Sequence, residues 1–305
     1  MKLPYLPYND WQETRITLHL IFQIIGKIRL ASTPRKNHWW YITEYVSPLG
    51  FTTGTIPLTD GFSSFEIILN IHKKAIQLIH SNGEIESLPL ENGYAIGTFY
   101  ADILDVLKRW ELHPKFVEKP MDMGIDKPFV EITEYHHYHW DAIYQFWQMM
   151  SWVDSVFKEF SGRFYGKTCP VHLYWHHMDL AVTRFSGKMA PPMDSNARIS
   201  DKDAYSHEVI SFGFWIGDEN LPEPAFYSYT APSPPGLENE AILPKEAFWM
   251  DANGSPMAIL KYKDLLTSPS PRSILLDFLE STYQAGAKKA GWDIEFLTVI
   301  PLDNL

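Results

Sequence analysis

One block of sequence occurs twice in outline, and that echo constrains the fold more than any other feature. Residues 26–57 read GKIRLASTPRKNHWWYITEYVSPLGFTTGTIP, and residues 166–192 read GKTCPVHLYWHHMDLAVTRFSGKMAPP. Each opens on Gly-Lys directly after a segment of helical periodicity. Each passes a proline and reaches a histidine leading a strand-like aromatic run, His38-Trp39-Trp40-Tyr41 and His172-Leu173-Tyr174-Trp175. Each leaves through a glycine and then a proline: Gly54 to Pro57, and Gly187 to Pro191. The echo points to two halves with a seam where polar groups can converge. Two separate uses of a common helix-then-strands order would give the same pattern, so duplication stays an open alternative.

Periodicity fills in the halves. Trp11, Leu18, Ile21, Ile25 and Ile28 recur at helical spacings and predict a helix to about Arg29. Asn9 or Asp10 would cap it, with Gln12 or Glu13 completing a capping box. The block between Pro34 and Pro57 reads as extended chain. Residues 65–71 and 74–79 read as strands about a turn at His72-Lys73. Ser81-Asn82-Gly83 then returns the chain into a strand over 84–90. An amphipathic helix over 94–110 and a short strand at 115–117 close the half. Residues 118–137, with Pro120, Gly124 and Pro128, read as a linker. A second long helix covers 140–164, with strands in the second block and at 208–215, 225–230, 248–250 and 257–262. A last helix covers 273–290. The expected class is α+β: antiparallel sheet with long helices, in two similarly ordered halves, 1–125 and 126–305, packed as one unit.

Composition excludes several functions. A formal charge of −11 argues against nucleic acid, which wants a concentrated basic face, and against an anionic membrane surface. The longest apolar run, Leu18 to Ile28, is broken by His19, Gln23 and Lys27 and falls short of the roughly 20 residues a membrane span needs. The first residues, MKLPYLPYNDWQETR, lack a signal peptide's apolar segment, so the expected location is the cytoplasm. Cys169 is the single cysteine and reads as a small buried residue. The aromatic share of 15% fits either a heavy aromatic core or an aromatic-lined pocket. Oligomeric state is not legible.

Residues that can carry chemistry cluster around the two blocks. Arg15, His19, Gln23 and Lys27 fall at four-residue spacing and stack on one helix face. That stripe faces either water or a polar cavity, where Lys27 and Arg29 would meet an anion. If the second block is a single strand, His172 shares a face with Tyr174, His176, Leu180 and Arg184, and His177 and Asp179 take the other. His207-Glu208 opens a later aromatic strand and can serve acid–base chemistry. No HExxH and no cysteine pair is present, and no metal ligand is assigned. Gly166-Lys167-Thr168 has the ending of a phosphate loop, but Ser161 stands where its first glycine is needed. No dinucleotide fingerprint occurs, and no cofactor is indicated.

The segments LPYNDWQETRITLHLIFQIIGKIRL, NHWWYITEYV, KEFSGRFYGKTCPVHLYWHHMDLAVTRFSG, AYSHEVISFGFW and EPAFYSY together resemble a bacterial family of uncharacterised proteins defined only as a domain of unknown function. The resemblance spans nearly the whole chain. It falls on His19, Gln23, Gly26, Lys27, Arg29, His38, Trp39, Trp40, His172, Asp179, Arg184, His207 and Glu208, and not on His176 or His177. It implies no activity, but it moves His19, Gln23 and Lys27 towards function.

The leading expectation is a small-molecule site for a polar or anionic ligand, in a binding protein or an enzyme. Lys27, Arg29 and Arg184 would supply charge, with His19, Gln23 and Asp179 as further ligand contacts. His38 would hydrogen-bond, His172, His207 and Glu208 would do acid–base work, and Trp39 and Trp40 would form a stacking wall. These residues would line one cavity. The alternatives are a non-catalytic protein-interaction module, which would expose a broad aromatic patch, and a metal-dependent enzyme.

Overall fold

The computed structural model describes residues 3–304. Helix α1 (Gln12–Ser32) is its central element. Leu18, Leu20, Ile21, Phe22, Ile24, Ile25 and Ile28 are all buried, so the helix is apolar on nearly every side. Such a helix must be enclosed. Burial of each of these side chains contributes about 2 kcal/mol. No side chain caps α1; a 3-10 turn (Tyr8–Trp11) leads directly into it, in place of the expected Asn9 or Asp10 capping box.

Six strands form the N-terminal sheet: β1 (Tyr45–Ser47), β2 (Gly50–Thr52), β3 (Ile56–Pro57), β4 (Ser64–Asn70), β5 (Ala75–His80) and β6 (Ile85–Pro89). The order is β1-β2-β4-β5-β6, with β3 also paired to β4. Phe51 of β2 meets Phe22 of α1 edge-on at 5.1 Å and lies against Phe146 at 5.3 Å. Helix α2 (Ile96–Arg109) follows. Residues 112–128 hold no regular element, so the strand expected at 115–117 is absent. Nor are residues 118–137 a free linker, because Phe129 and Ile132 are fully buried.

Helix α3 (Trp140–Ser161) carries Phe146 and touches both halves. The C-terminal sheet comprises β7 (His172–Tyr174), β8 (Asp179–Met189), β9 (His207–Trp215), β10 (Ala225–Ala231), β11 (Phe248–Ala252) and β12 (Ser255–Lys261). Its order is β7-β8-β9-β10-β12-β11, antiparallel throughout. A short helix α4 (Ile199–Ala204) lies between β8 and β9, and α5 (Pro271–Lys289) and α6 (Ile294–Leu297) end the chain. Helix α5 packs closely on the sheet because Gly286 leaves room for Thr230 and Ile210. The expected α+β class, with an antiparallel sheet in each of two similarly ordered halves, is what the chain adopts.

The two sheets meet edge to edge. Glu44 and Leu173 exchange backbone hydrogen bonds of 2.9 and 2.7 Å, joining the start of β1 to β7. The echo in sequence does not hold residue by residue. Gly26-Lys27 lies inside α1, whereas Gly166-Lys167 follows α3. His38-Trp39 is a 3-10 turn with φ of 56° and 61°, not a strand, whereas His172 begins β7. The second block is not one strand either: Trp175 to Met178 form a turn, with φ 56° at Met178, between β7 and β8.

Gly26 is a point of close approach between the halves, since a Cβ there would drive into the Trp175 indole. Gly26→Ala improves intrinsic helix propensity by about 1 kcal/mol, yet we expect it to lower stability by about 1–3 kcal/mol through overpacking. Urea denaturation midpoints decide the sign; a stabilised variant would show that the indole does not press on α1.

Candidate functional site at the seam

Strand alternation sorts the expected residues onto two faces. In β8 and β9, Leu180, Val182, Arg184, Ile210, Phe212 and Phe214 face the helices; Phe160 of α3 meets Phe212 at 4.7 Å. Asp179, Ala181, Thr183, Phe185, His207, Val209, Ser211 and Gly213 take the opposite face. Because β7 folds back on β8, His172 lies across from Ala181 and Tyr174 across from Asp179. His172 therefore shares the face of Asp179, and not that of Arg184 as a single strand would have it.

Arg184 is consequently structural. Its guanidinium donates to the Phe160 carbonyl at 2.6 Å, meets Glu280 at 3.4 Å and stacks on Phe160 at 3.6 Å. Glu208 also points to the helix side and lines a small cleft of about 270 Å³ with Pro232 and Trp292. His172 and His207 share a face but sit two strands and six residues apart, roughly 20 Å along the sheet. The expected acid–base set of His172, His207 and Glu208 is not assembled.

The helix stripe meets protein along its length, with Arg15 and His19 partly exposed and Gln23 and Lys27 buried. Arg15 covers the Tyr8 ring at 3.9 Å. His19 Nε2 donates to the His176 carbonyl at 3.0 Å, which fixes its tautomer. Gln23 is fully buried and clasps the Met121 backbone, donating to its carbonyl at 2.8 Å and accepting from its N–H at 2.7 Å. Gln23 thus ties residues 118–128 to α1, with its amide nitrogen also 3.5 Å from His19 Nε2. Lys27 is buried with its ammonium 5.7 Å from the Trp175 ring, and burial lowers its pKa.

Two turns of chain from the first block cross the open face of the C-terminal sheet. His38 Nδ1 lies 3.1 and 3.2 Å from the carbonyls of Asp203 and Ala204, so it carries the proton. Nε2 is then an acceptor, and Lys167 Nζ donates to it at 2.6 Å. The His38 ring lies 4.7 Å from Phe185, 5.0 Å from Trp40 and 5.5 Å from His207. Trp39 turns away: its indole donates to the Ser200 carbonyl at 2.9 Å and its ring stacks on Tyr41. Trp39 and Trp40 therefore do not form one wall.

The seam itself gathers buried charge. Arg29 leaves α1 to donate from Nε to the Tyr41 carbonyl at 2.9 Å, and its guanidinium lies 5.3 Å from the Tyr45 ring. Glu44 is fully buried, and neither of its carboxyl oxygens has a hydrogen-bond partner. Burial pushes the Glu44 pKa well up, while the nearby Arg29 charge pulls it back. His172 Nδ1 donates to the Pro170 carbonyl at 2.8 Å, leaving Nε2 an unpartnered acceptor. Arg29 Nη1 is likewise buried without a partner. Unpaired polar atoms this deep cost about 1–3 kcal/mol each.

A cleft of about 370 Å³ opens beside this cluster. Tyr45 and Val46 form one wall, Pro170 and Val171 another, and Asp154 and Lys158 of α3 its rim. Asp154 accepts from Lys158 at 2.6 Å, and burial raises its pKa. Tyr45, half-buried, lines the cleft, and its ring lies 5.3 Å from the Arg29 guanidinium.

Further along the same sheet face, Tyr227 donates to Asp179 Oδ2 at 2.6 Å, and Asp179 Oδ1 stays buried without a partner. Gly213 makes this reach possible, because a Cβ there would collide with the Tyr227 ring lying over it. Tyr229 and Tyr205 share a hydroxyl contact of 3.1 Å nearby. Cys169 is buried, and burial pushes its thiol up to about 11, so it is no nucleophile. Among the described residues, no three His, Cys, Asp or Glu side chains are grouped to hold a metal ion.

Sequence reasoning missed Glu44, Tyr45, Asp154 and Lys167. Glu44 carried a signal: it is the lone charge in the run Tyr41-Ile42-Thr43-Glu44-Tyr45-Val46. Fold and seam together define an α+β protein whose two antiparallel sheets enclose unpaired charge where they join. The chain belongs to the family of unknown function DUF5996, whose model matches residues 3–299. No curated protein and no solved structure matches it.

Burial holds three histidines neutral well into acid: His19 and His172 are lowered to about 4 and His176 to about 3. The unfolded chain protonates them near 6.5. Their contribution is therefore intact above pH 6.5 and lost as pH falls from 6.5 towards 4. Glu44 and Asp179, raised by burial, act in the opposite sense, so the test compares variants. His19→Gln should flatten the fall of unfolding free energy between pH 6 and 4.5 by about 1.4 kcal/mol per pH unit, one proton's worth. An unchanged slope would mean that His19 titrates freely in the folded protein.

Proposed function

We propose that this protein binds a small polar or anionic ligand at the seam between its halves, in the cleft walled by Tyr45 and Pro170. The observation that carries the reading is the set of buried, unpartnered polar atoms next to the cleft walls, on residues adjoining Tyr45 and Val171 though not lining the cleft themselves: Arg29 Nη1, both Glu44 oxygens and His172 Nε2. Native proteins seldom leave such groups unpaired, and where they do the group commonly meets a ligand or ordered water. The cleft volume of about 370 Å³ lies within the range of small-molecule sites. Arg29 offers a donor for a carboxylate, phosphate or carbonyl oxygen, and His172 Nε2 offers an acceptor for a ligand hydroxyl or amide. Lys158 at the rim adds a second cation.

The chemistry this set supports is proton transfer. Burial separates the two titrating groups, lowering His172 and raising Glu44. An imidazole lowered by burial and a carboxyl raised by it are a base and an acid set apart by environment, and strand parity turns Glu44, paired with Leu173, to the face opposite His172. The reading therefore covers a binding protein and an acid–base enzyme. The residues carrying it are Arg29, Glu44, Tyr45, His172 and Lys158.

A thermal-shift screen of small carboxylates, hydroxy acids, amides and sugar phosphates tests it. A ligand at a hundred times its Kd stabilises the folded state by about 2.7 kcal/mol. We expect at least one compound to raise the melting temperature of the native protein and to lose that effect in both Lys158→Ala and His172→Asn. Hits whose shifts persist unchanged in both variants would place the ligand elsewhere and overturn the seam as the site.

A further inference from the structure

A second group of charges, separate from the seam cleft, lies where the first block crosses the open sheet face. Lys36 and Lys167 both place their ammonium groups over the Trp40 ring, at 5.6 and 5.3 Å. Lys167 also lies 4.6 Å from the Phe185 ring and donates to His38 Nε2 at 2.6 Å. Among the described residues neither lysine forms an ion pair with a carboxylate, although acidic groups outnumber basic ones in the chain by 37 to 26. Asp203, whose backbone carbonyl accepts from His38, pairs through Oδ1 with Arg35 at 3.0 Å, while its Oδ2 is buried without a partner. Two ammonium groups 5.6 and 5.3 Å from one indole, neither held by a carboxylate, can both serve an anion bound beside that ring.

We propose that Lys36, Lys167 and His38 form a binding site for a doubly charged tetrahedral oxyanion, sulfate or the phosphate group of a phosphomonoester, with Trp40 as its floor. Lys167 spends one of its three N–H donors on His38, leaving two for the anion, and Lys36 supplies more. Binding is linked to protonation. The neutral His38 accepts from Lys167; once protonated it becomes a donor, and the bound anion offsets its repulsion from Lys167. The groups around His38 are Lys167 on the edge segment, His207 on β9, and the Asp203 and Ala204 carbonyls at the end of α4, with the Asp203 carboxylate, paired to Arg35 through Oδ1, on the same residue. Burial, and then the Lys167 charge, hold His38 below its ordinary pKa in the free protein.

Calorimetric titration of the full-length protein with sodium sulfate at low ionic strength tests the site, with sodium chloride at matched ionic strength as reference. Sulfate keeps its charge between pH 8 and 6, so any pH dependence belongs to the protein. We expect sulfate to bind where chloride does not, and to bind more tightly at pH 6 than at pH 8. Lys36→Met and Lys167→Met should each weaken it about fivefold. His38→Gln should abolish the pH dependence, while His207→Gln should retain it. Ribose 5-phosphate compared with inorganic phosphate identifies the source: tighter binding of the ester assigns a phosphorylated metabolite, and equal binding assigns the free anion. An equal response to chloride, unchanged affinity in the Lys36→Met/Lys167→Met double variant, or pH dependence that follows His207 would each overturn the proposal. Both lysines are exposed, so their removal leaves the fold intact, and the cleft residues Lys158 and His172 are not involved.

Discussion

The exchange of backbone hydrogen bonds between Glu44 and Leu173 is the contact on which the arrangement depends. It joins the edge of one sheet to the edge of the other, and so satisfies two edges that would otherwise expose unpaired backbone. It also decides where polar side chains must go. With its backbone committed to the edge pairing, the Glu44 side chain is left in the interior, next to Arg29 at the end of α1. Burial of α1 on all sides then closes the space around them. The unpaired charge at the seam follows from this one pairing together with the enclosure of one helix.

That enclosure has its own requirement. Gly26 lies where the Trp175 indole presses on α1, and the Trp175–Met178 turn is where β7 folds back to pair with β8. The left-handed backbone at Met178 makes the reversal possible in four residues. It places His172, Tyr174 and Asp179 on one face and leaves Arg184 to pack among Phe160, Tyr283 and Glu280. The same reversal brings the His176 carbonyl to His19. One turn therefore holds the helix, sets which side chains face the seam, and makes three histidines neutral by burial.

Much of the architecture was legible in sequence, because local periodicity governs it. The strands at 64–70, 75–80, 207–215 and 225–231 and the helices at 96–109 and 140–161 lie within a few residues of where alternation and helical spacing place them. The site was less legible. His38 does meet Trp40 and His207, and Arg29 does lie near His172, but Gln23, Trp39 and Arg184 are tied to partners within the fold. Gln23 illustrates why. Its position on a polar stripe is written in the spacing, but its partner is the Met121 backbone, ninety-eight positions away. A backbone partner leaves no trace in residue identity.

By itself the sequence determined an α+β chain with antiparallel sheets in two similarly ordered halves, no membrane-spanning helix, and a first helix too apolar to be left uncovered. Those properties depend on residues near one another in the chain. Tertiary structure alone decided that the His-led aromatic run is a tight turn at His38 and the start of a hairpin at His172. It also decided that Glu44 is the buried acid, and that Lys167 rather than Arg184 joins His38. Each of these turns on strand parity and edge pairing. A shift of one residue in either would send every side chain to the opposite face, and nothing in local sequence fixes that register across the seam.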